Sequence, residues 1–356
     1  MRKLTTLLAL CAFICLACNS KNGETDKHEK ISSKSVSLSA SGATFPLPFY
    51  TLAFQKYTEK TNNRVAYGAI GSGGGIRSLK DETVNFAASD AFLTDEESKE
   101  MKPVIHIPTC MGAVVAAFNL DGVEKLRLSG EVLAEIFAGK ITKWNDKKLT
   151  ALNPDIKLPN MKITPVYRSD GSGTTNIFTD YLSKVSSDWK NKFGAGKTVD
   201  FPTGMAAKGN PGVAGIINNT KGTIGYIGSE YAFSLKIKSA EIQNSNGEFI
   251  APNTASISAA AAGNIPDDTR TMITNSSAAG AYPISCLTWI VVYRDLNNGK
   301  NTLQEAKATV ELLQFLVSDA IQAMTESVHY APLPQQIREK AINNLKKITY
   351  NGKKLL

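Results

Sequence analysis

An α/β fold is predicted for this chain on three observations. Short β-like runs alternate with runs of helical apolar period along the sequence. No internal repeat or low-complexity tract interrupts that alternation. At 356 residues, the chain has room for two domains of about 100–200 residues each. The N-terminus stands apart from this scheme and is taken first.

Arg2 and Lys3 precede an apolar run, Leu4 to Ala17, too short to cross a bilayer as a helix. It ends in Cys15-Leu16-Ala17-Cys18, followed by a polar stretch. This resembles a bacterial lipoprotein signal in which residues 1–17 are removed and Cys18 is lipidated. Cys15 departs from it, standing where that pattern usually has Leu. The alternative is an ordinary secretory signal cut nearby. Residues 18–37 are rich in Lys, Ser, Asn and Glu, poor in apolar side chains, and read as a flexible tether. Loss of residues 1–17 removes two cations and no acid, taking the formal charge from +8 to +6. The lysines are scattered, with no aromatic interleaving, so the excess reads as solvated surface and nucleic acid is not expected as a partner.

In the body, strands are expected at Arg64–Ile70, Thr83–Ala88, Gly112–Asn119, Ile163–Tyr167, Gly222–Ile227 and Thr288–Tyr293. Helices are expected at Pro48–Thr58, Ser129–Phe137, Thr174–Val185, Pro211–Asn218, Thr302–Ser318 and Pro334–Leu345. Cys110 and Cys286 are the cysteines left in the body. In an oxidising compartment they could pair; each also sits in a hydrophobic run, where a buried free thiol is as ordinary.

The most informative stretch is Arg168-Ser169-Asp170-Gly171-Ser172-Gly173-Thr174. Gly-Ser-Gly-Thr directly precedes an amphipathic run, so it reads as a helix N-terminus, whose free N–H groups and dipole favour an anion. Arg168 adds a planar fork suited to an oxyanion. Three more segments share this small, hydroxyl-bearing character. Ser41-Gly42-Ala43-Thr44-Phe45-Pro46 enters a helix with Thr44 as expected N-cap. Gly71-Ser72-Gly73-Gly74-Gly75 is a strand-to-helix turn. Phe86-Ala87-Ala88-Ser89-Asp90 ends a strand with a carboxylate, where ligands of open α/β sheets bind. Neither glycine cluster satisfies the P-loop or dinucleotide pattern, so a nucleotide site is not expected.

Catalytic machinery is also missing from the sequence. There is no Gly-x-Ser-x-Gly elbow and no His-Glu-x-x-His. His28 lies in the tether stretch, and His106 and His329 read as structural. Neither an enzyme nor a metal or other cofactor is expected; a phosphatase is the rival of that class.

In combination and order, these segments resemble the periplasmic phosphate-binding proteins of bacterial ABC importers. Phe137–Asp146, Ala206–Asn210, Gly222–Tyr226 and Tyr330–Pro334 extend the resemblance over most of the body, about Ser41 to Leu356. It implies a two-lobed, type II Venus-flytrap fold with two strand crossovers, near Cys110–Val115 and Pro283–Cys286. Lobe I would comprise residues 38–113 and 285–356, and lobe II residues 114–284. Position by position it implies phosphate contacts from Thr44, Phe45 (through its backbone N–H), Ser72 and Asp90 on one lobe. The other lobe would supply Arg168, Ser172, Gly173 and Thr174, with Asp170 orienting the arginine. It further implies inorganic phosphate as ligand, a membrane permease and an ATPase as partners, a monomer, and a periplasmic location with a lipid anchor at Cys18. A surface or sensory protein using the same fold without a transporter remains the alternative.

Asp90 has a physical rationale in such a site. A carboxylate facing fully ionised sulfate brings like charges together in a dry cleft. Facing phosphate, which keeps a proton near neutral pH, it accepts an O–H···O⁻ hydrogen bond.

Overall fold

The computed structural model describes residues 35–298 and 300–356. The expected signal segment, the lipidation residue Cys18 and most of the tether lie outside them. Val36 already donates its N–H to Asn63 Oδ1 at 2.9 Å, and a strand begins at Ser37, so the folded body starts slightly before the expected tether ends.

The chain opens with β1 (Ser37–Gly42), α1 (Leu47–Thr61), β2 (Arg64–Ala69), α2 (Ser72–Lys80), β3 (Phe86–Ser89) and α3 (Asp95–Lys99). A long strand, β4 (Val104–Phe118), follows. After it come β5 (Arg127–Leu128), α4 (Gly130–Phe137), α5 (Lys147–Leu152), β6 (Thr164–Arg168), α6 (Gly173–Val185) and α7 (Ser187–Lys192). Then come β7 (Met205–Ala207), α8 (Gly209–Asn219), β8 (Thr223–Gly228) and α9 (Ser229–Ser234). Short strands β9 (Lys238–Ser239), β10 (Glu241–Gln243) and β11 (Phe249–Ile250) and helix α10 (Thr254–Ala259) lead to β12 (Ser285–Tyr293). Helices α11 (Leu303–Leu316), α12 (Asp319–Gln322) and α13 (Gln335–Leu345) and a terminal hairpin complete the body.

The main sheet runs β2-β1-β3-β12-β4-β8-β6-β7. Its flanks are parallel: β1 pairs with β2 and β3, and β6 with β7 and β8. Its centre is antiparallel, because β12 pairs with both β3 and β4. Strand β4 changes partner along its length. Val104–Ala113 face β12, and Val114–Phe118 face β8. One buried strand therefore belongs to both halves of the sheet.

Expectation and structure differ most in β4, which starts at Val104 rather than Gly112. Pro108 reads as a strand breaker, having no N–H to give a ladder. Here it is accommodated opposite Trp289, where the pairing shifts register between Thr288 and Trp289. Helix α2 starts four residues before the apolar residue Ile76 and runs through three glycines that propensity disfavours. Packing decides it. A Cβ on Gly75 would fall 2.4 Å from Gly42 Cα, so only glycine lets α2 lie this close to β1.

Aromatic side chains fill both halves. Phe45, Phe49, Tyr50, Phe54, Tyr67, Phe86 and Tyr330 pack on one side. Phe137, Phe178, Trp189, Phe201 and Tyr226 pack on the other. The disulfide considered for Cys110 and Cys286 is not formed: both are free, buried thiols. They sit diagonally on neighbouring strands, Cys110 opposite Thr288 and Cys286 opposite Gly112. Cys286 Sγ instead donates to the Gly112 carbonyl at 3.5 Å. Among the described residues no helix is long and apolar enough to cross a membrane.

Candidate anion-binding site

The N-termini of α2 and α6 meet at the site. Gly73 N–H donates to Gly171 O at 2.9 Å. A Cβ on Gly173 would lie 2.5 Å from Ser72 Oγ and 2.7 Å from Asp90 Cβ. Helix α6 is capped by Ser172, whose Oγ accepts from Thr175 N–H at 3.0 Å. The first-turn N–H groups of Gly173 and Thr174 have no acceptor that the helix itself can offer, leaving two aligned donors at the positive end of a 13-residue helix.

Arg168 ends β6, its side chain only 1% exposed. Nε donates to Asp170 Oδ1 at 2.7 Å and Nη2 donates to Oδ2. One edge of the fork is thus held by Asp170, while Nη1 reaches Thr174 Oγ1 at 3.4 Å. Asp170 Oδ1 also accepts from Gly209 N–H at 3.0 Å. Burial pushes the Asp170 carboxyl up, but the Arg168 hydrogen bonds and charge outweigh it, and its pKa lies below the ordinary value. The arginine is pre-aimed, which limits the entropy lost when it meets an oxyanion.

Asp90 follows β3 and is 1% exposed. Burial raises its pKa from 3.8 to about 7, against the opposing hydrogen bond from Thr288 and the charge of Arg168. Thr288 Oγ1 donates to Oδ1 at 3.0 Å, and Asp90 N–H donates to Ser72 Oγ at 3.3 Å. Ser72, at the start of α2, is fully buried beside it.

Thr44 does not cap α1, contrary to expectation; Pro46 occupies the cap position and makes no side-chain bond there. Thr44 Oγ1 instead accepts from Asn210 N–H at 3.1 Å and Nδ2 at 2.9 Å. Its own proton stays free to donate. The Phe45 N–H finds no acceptor among the described residues. The Phe45 ring is buried edge-on to Tyr330, and its carbonyl accepts from the Tyr330 hydroxyl at 2.5 Å.

All eight expected contact residues and Asp170 thus belong to one buried neighbourhood. Two partners were missed. Asn210 Nδ2 bridges Thr44 Oγ1 and Thr174 Oγ1, the latter at 3.1 Å, while Gly228 N–H anchors its Oδ1. Thr288 lies on β12 and was read only as a strand residue. Asn210 closes the Ala206–Asn210 stretch that carries the resemblance but was given no contact role, and nothing local marks Thr288; their roles come from pairing across 166 and 198 positions. His106 and His329 lie outside the site. His106 Nε2 accepts from Leu93 N–H at 3.1 Å, and burial lowers its pKa to about 3. His329 takes a left-handed turn conformation against Phe233. Among the described residues no cluster of His, Cys, Asp and Glu could hold a metal ion.

The chemistry is that of a dry anion cradle with one acceptor. Donors come from a guanidinium, two hydroxyls (Thr44 and Ser72) and the N-terminus of α6, and a single carboxyl faces them.

The sequence model of the PBP superfamily domain matches residues 27–320. The phosphate-binding protein PstS of Xylella fastidiosa strain Temecula1 is 39% identical over 309 residues, covering 85% of this chain and 83% of that protein. PstS of Haemophilus influenzae is 39% identical over 306 residues, covering 85% and 90%. The crystal structure of a phosphate ABC transporter substrate-binding protein from Clostridium perfringens, described as putative and solved with bound phosphate, has a TM-score of 0.62 at 17% identity, covering 84% of this chain and all of that one. A phosphate-binding protein from Stenotrophomonas maltophilia reaches 0.65 at 19%, covering 86% and 92%. These structures carry the fold, which is that of the periplasmic binding proteins. With the superfamily match spanning most of the chain and relatives this similar across it, the chain belongs to the PBP superfamily and, within it, to the PstS family of binding proteins.

Proposed function

We propose that this chain captures inorganic phosphate at the Thr44–Asp90–Arg168–Thr174 site and delivers it to an ABC importer. It is a binding protein and not an enzyme. The observation that carries the ligand assignment is Asp90, a buried carboxyl set among anion donors. A site made only for a fully ionised anion gains nothing from that group, whereas phosphate can donate its remaining proton to it. Residues 38–113 and 285–356 act as one lobe and 114–284 as the other, a division supported by the change of partner along β4 after Ala113. Thr44, Phe45, Ser72 and Asp90 then belong to the first lobe, and Arg168 and Ser172–Thr174 to the second. Closure is favoured because only the closed form engages both half-sites. A permease and its ATPase receive the ligand. The chain works as a monomer on the periplasmic side, anchored by a lipid at Cys18.

Calorimetric titration of the mature chain with phosphate, arsenate and sulfate tests the binding. Phosphate and arsenate should bind with similar affinity and sulfate far more weakly, and Arg168→Ala should abolish the phosphate signal. Sulfate binding as tight as phosphate would overturn the assignment. Phosphate uptake in a deletion strain tests the transport role, and the mass of the mature N-terminus, compared with that of Cys18→Ala, tests the anchor.

A further inference from the structure

The stretch between α10 and β12 binds elements of both proposed lobes. Residues 114–284 form the second lobe in the reading above, yet within them Asp267, Thr269 and Arg270 bind the first. Asp267 pairs with Lys340 at 2.7 Å, and its carbonyl accepts from Asn344 Nδ2 at 2.9 Å, both partners lying on α13. Trp289 Nε1 donates to the Thr269 carbonyl at 3.2 Å, and the residue beside Trp289 on β12 is Thr288, which holds Asp90. Arg270 Nη1 donates to the Leu93 carbonyl at 3.2 Å and to Asp95 Oδ1 at 3.1 Å, on the segment that follows Asp90.

A few residues on, the partner is the second lobe. Thr274 Oγ1 donates to Asp180 Oδ2 and accepts from Lys184 Nζ at 2.7 Å, and Lys184 also donates to the Thr274 carbonyl at 3.2 Å. Asp180 and Lys184 lie on α6, the helix whose first turn offers Gly173 and Thr174 to the anion. The chain therefore crosses between the lobes once more, between Arg270 and Thr274, in addition to the crossings at β4 and β12. Thr269 is fully buried with φ 61°, a left-handed conformation that a β-branched residue rarely adopts. Such a conformation persists only where its surroundings over-determine it, so this end of the crossing is a fixed anchor. Fully extended, the chain from Arg270 to Thr274 spans at most about 14 Å.

We propose that residues 270–274 are a strap, with Arg270 and Thr274 as positioning residues at its ends. By tying α6 to the segment behind Asp90, it limits how far the two half-sites part and keeps the anion-free chain near its binding-competent form. The inference rests on the phosphate-binding, two-lobed reading above.

The test lengthens the strap without removing an anchor. Four glycines inserted between Thr271 and Met272 add reach while every bond named above can still form. Phosphate affinity of the mature chain is read by calorimetry. Lobe separation is read as the distance between spin labels on Lys307→Cys and Asn191→Cys, both exposed positions, with Cys110 and Cys286 buried. Without phosphate the label distance should be longer with the insertion than in the parent; with phosphate bound the two should coincide. Affinity should fall about fivefold as the competent fraction falls. Thr274→Val, which keeps the shape but loses the hydroxyl's bonds to Asp180 and Lys184, should act in the same direction. Added to the insertion it should weaken binding no further, because a slack strap transmits nothing. An insertion that leaves either the anion-free distance or the affinity at the parent's value, or losses that multiply, would overturn the inference. Should the insertion fail to fold, Arg270→Gln takes its place: cutting either end slackens the same strap, so its loss and that of Thr274→Val should not multiply. A parent that does not bind phosphate would instead overturn the functional reading, and the anion-free distances would still decide the strap.

Discussion

Asp90 is a residue at which binding and stability pull against each other. Its pKa in the folded protein, about 7, stands above the ordinary 3.8. A raised carboxyl pKa means that its stabilising contribution is fully present below 3.8 and is lost as pH rises through 7. At about 1.4 kcal/mol per pKa unit, the loss at pH 8 is at most about 4 kcal/mol. Asp90→Asn keeps the shape and the Thr288 hydrogen bond without that loss. The anion-free variant should therefore melt above the parent at pH 8 and level with it near pH 4, as scanning calorimetry would show. The same variant should lose discrimination between phosphate and sulfate by more than it loses phosphate affinity, because its amide no longer reads the ligand's proton. Paired titrations check this, and unchanged selectivity would refute it. The proposed contact residues Asp90 and Arg168, which the structure brings into one neighbourhood, are legible as candidates because each lies in a short stretch of turn, cap and charge chemistry. Asn210 and Thr288 are not, since a lone Asn before a helix and a Thr within a strand look ordinary until the fold brings them to Thr44 and Asp90.

At the level of elements, strong apolar periodicity placed α4, α6, α11 and α13 to within a residue or two, and their caps explain the edges. Ser129, Ser172 and Thr302 each accept a first-turn N–H. The start of α2 and the first half of β4 were not legible, because their local rules are overridden by contacts distant in sequence. Gly75 exists for its approach to Gly42, and Pro108 is tolerated by a register shift on β12. Gly173 carries the sharpest consequence. Its backbone does not require glycine, since its φ is not among the positive ones, and Ala is a better helix former than Gly. The obstacle is on the facing segment, where the added methyl would meet Ser72 Oγ at 2.5 Å and Asp90 N at 2.8 Å. Gly173→Ala should therefore weaken phosphate binding by about a hundredfold or more, an interaction loss of roughly 3 kcal/mol. On the proposed two-lobed reading the clash is relieved when the lobes part, so thermal melting without phosphate should stay within a degree or two of the parent. Equal affinity for both proteins would show that α6 does not approach Ser72 in the bound state.

At the scale of the whole molecule, the contacts that bridge the site differ in kind and so in what they control. Asn210 to Thr44 and the Tyr231 hydroxyl to the Thr44 carbonyl, at 2.6 Å, are short and mostly dry. Lys197 with Glu97 is different: the pair spans 100 positions at 2.6 Å, with the lysine side chain 17% exposed and the glutamate 41%. Both ends are anchored. Glu97 completes the capping box of α3 with Thr94, and the Lys197 carbonyl accepts from Ser172 N–H at 2.8 Å, beside the α6 N-terminus. On the proposed two-lobed reading, the pair clasps the rim of the site in the closed form and would be separated were the lobes to part. Partly exposed ion pairs contribute about 0.2–1 kcal/mol, so the clasp should change the dissociation rate of phosphate by no more than about fivefold. Lys197→Gln should raise that rate by about that factor while leaving association nearly unchanged, because the pair forms only after the anion is engaged. In 1 M salt, where screening acts over about 3 Å, parent and variant should release phosphate at nearly the same rate. Stopped-flow measurement in low and high salt decides it: a variant that releases no faster in low salt, or keeps its excess in 1 M salt, would remove electrostatics from the clasp and leave closure to the buried contacts alone.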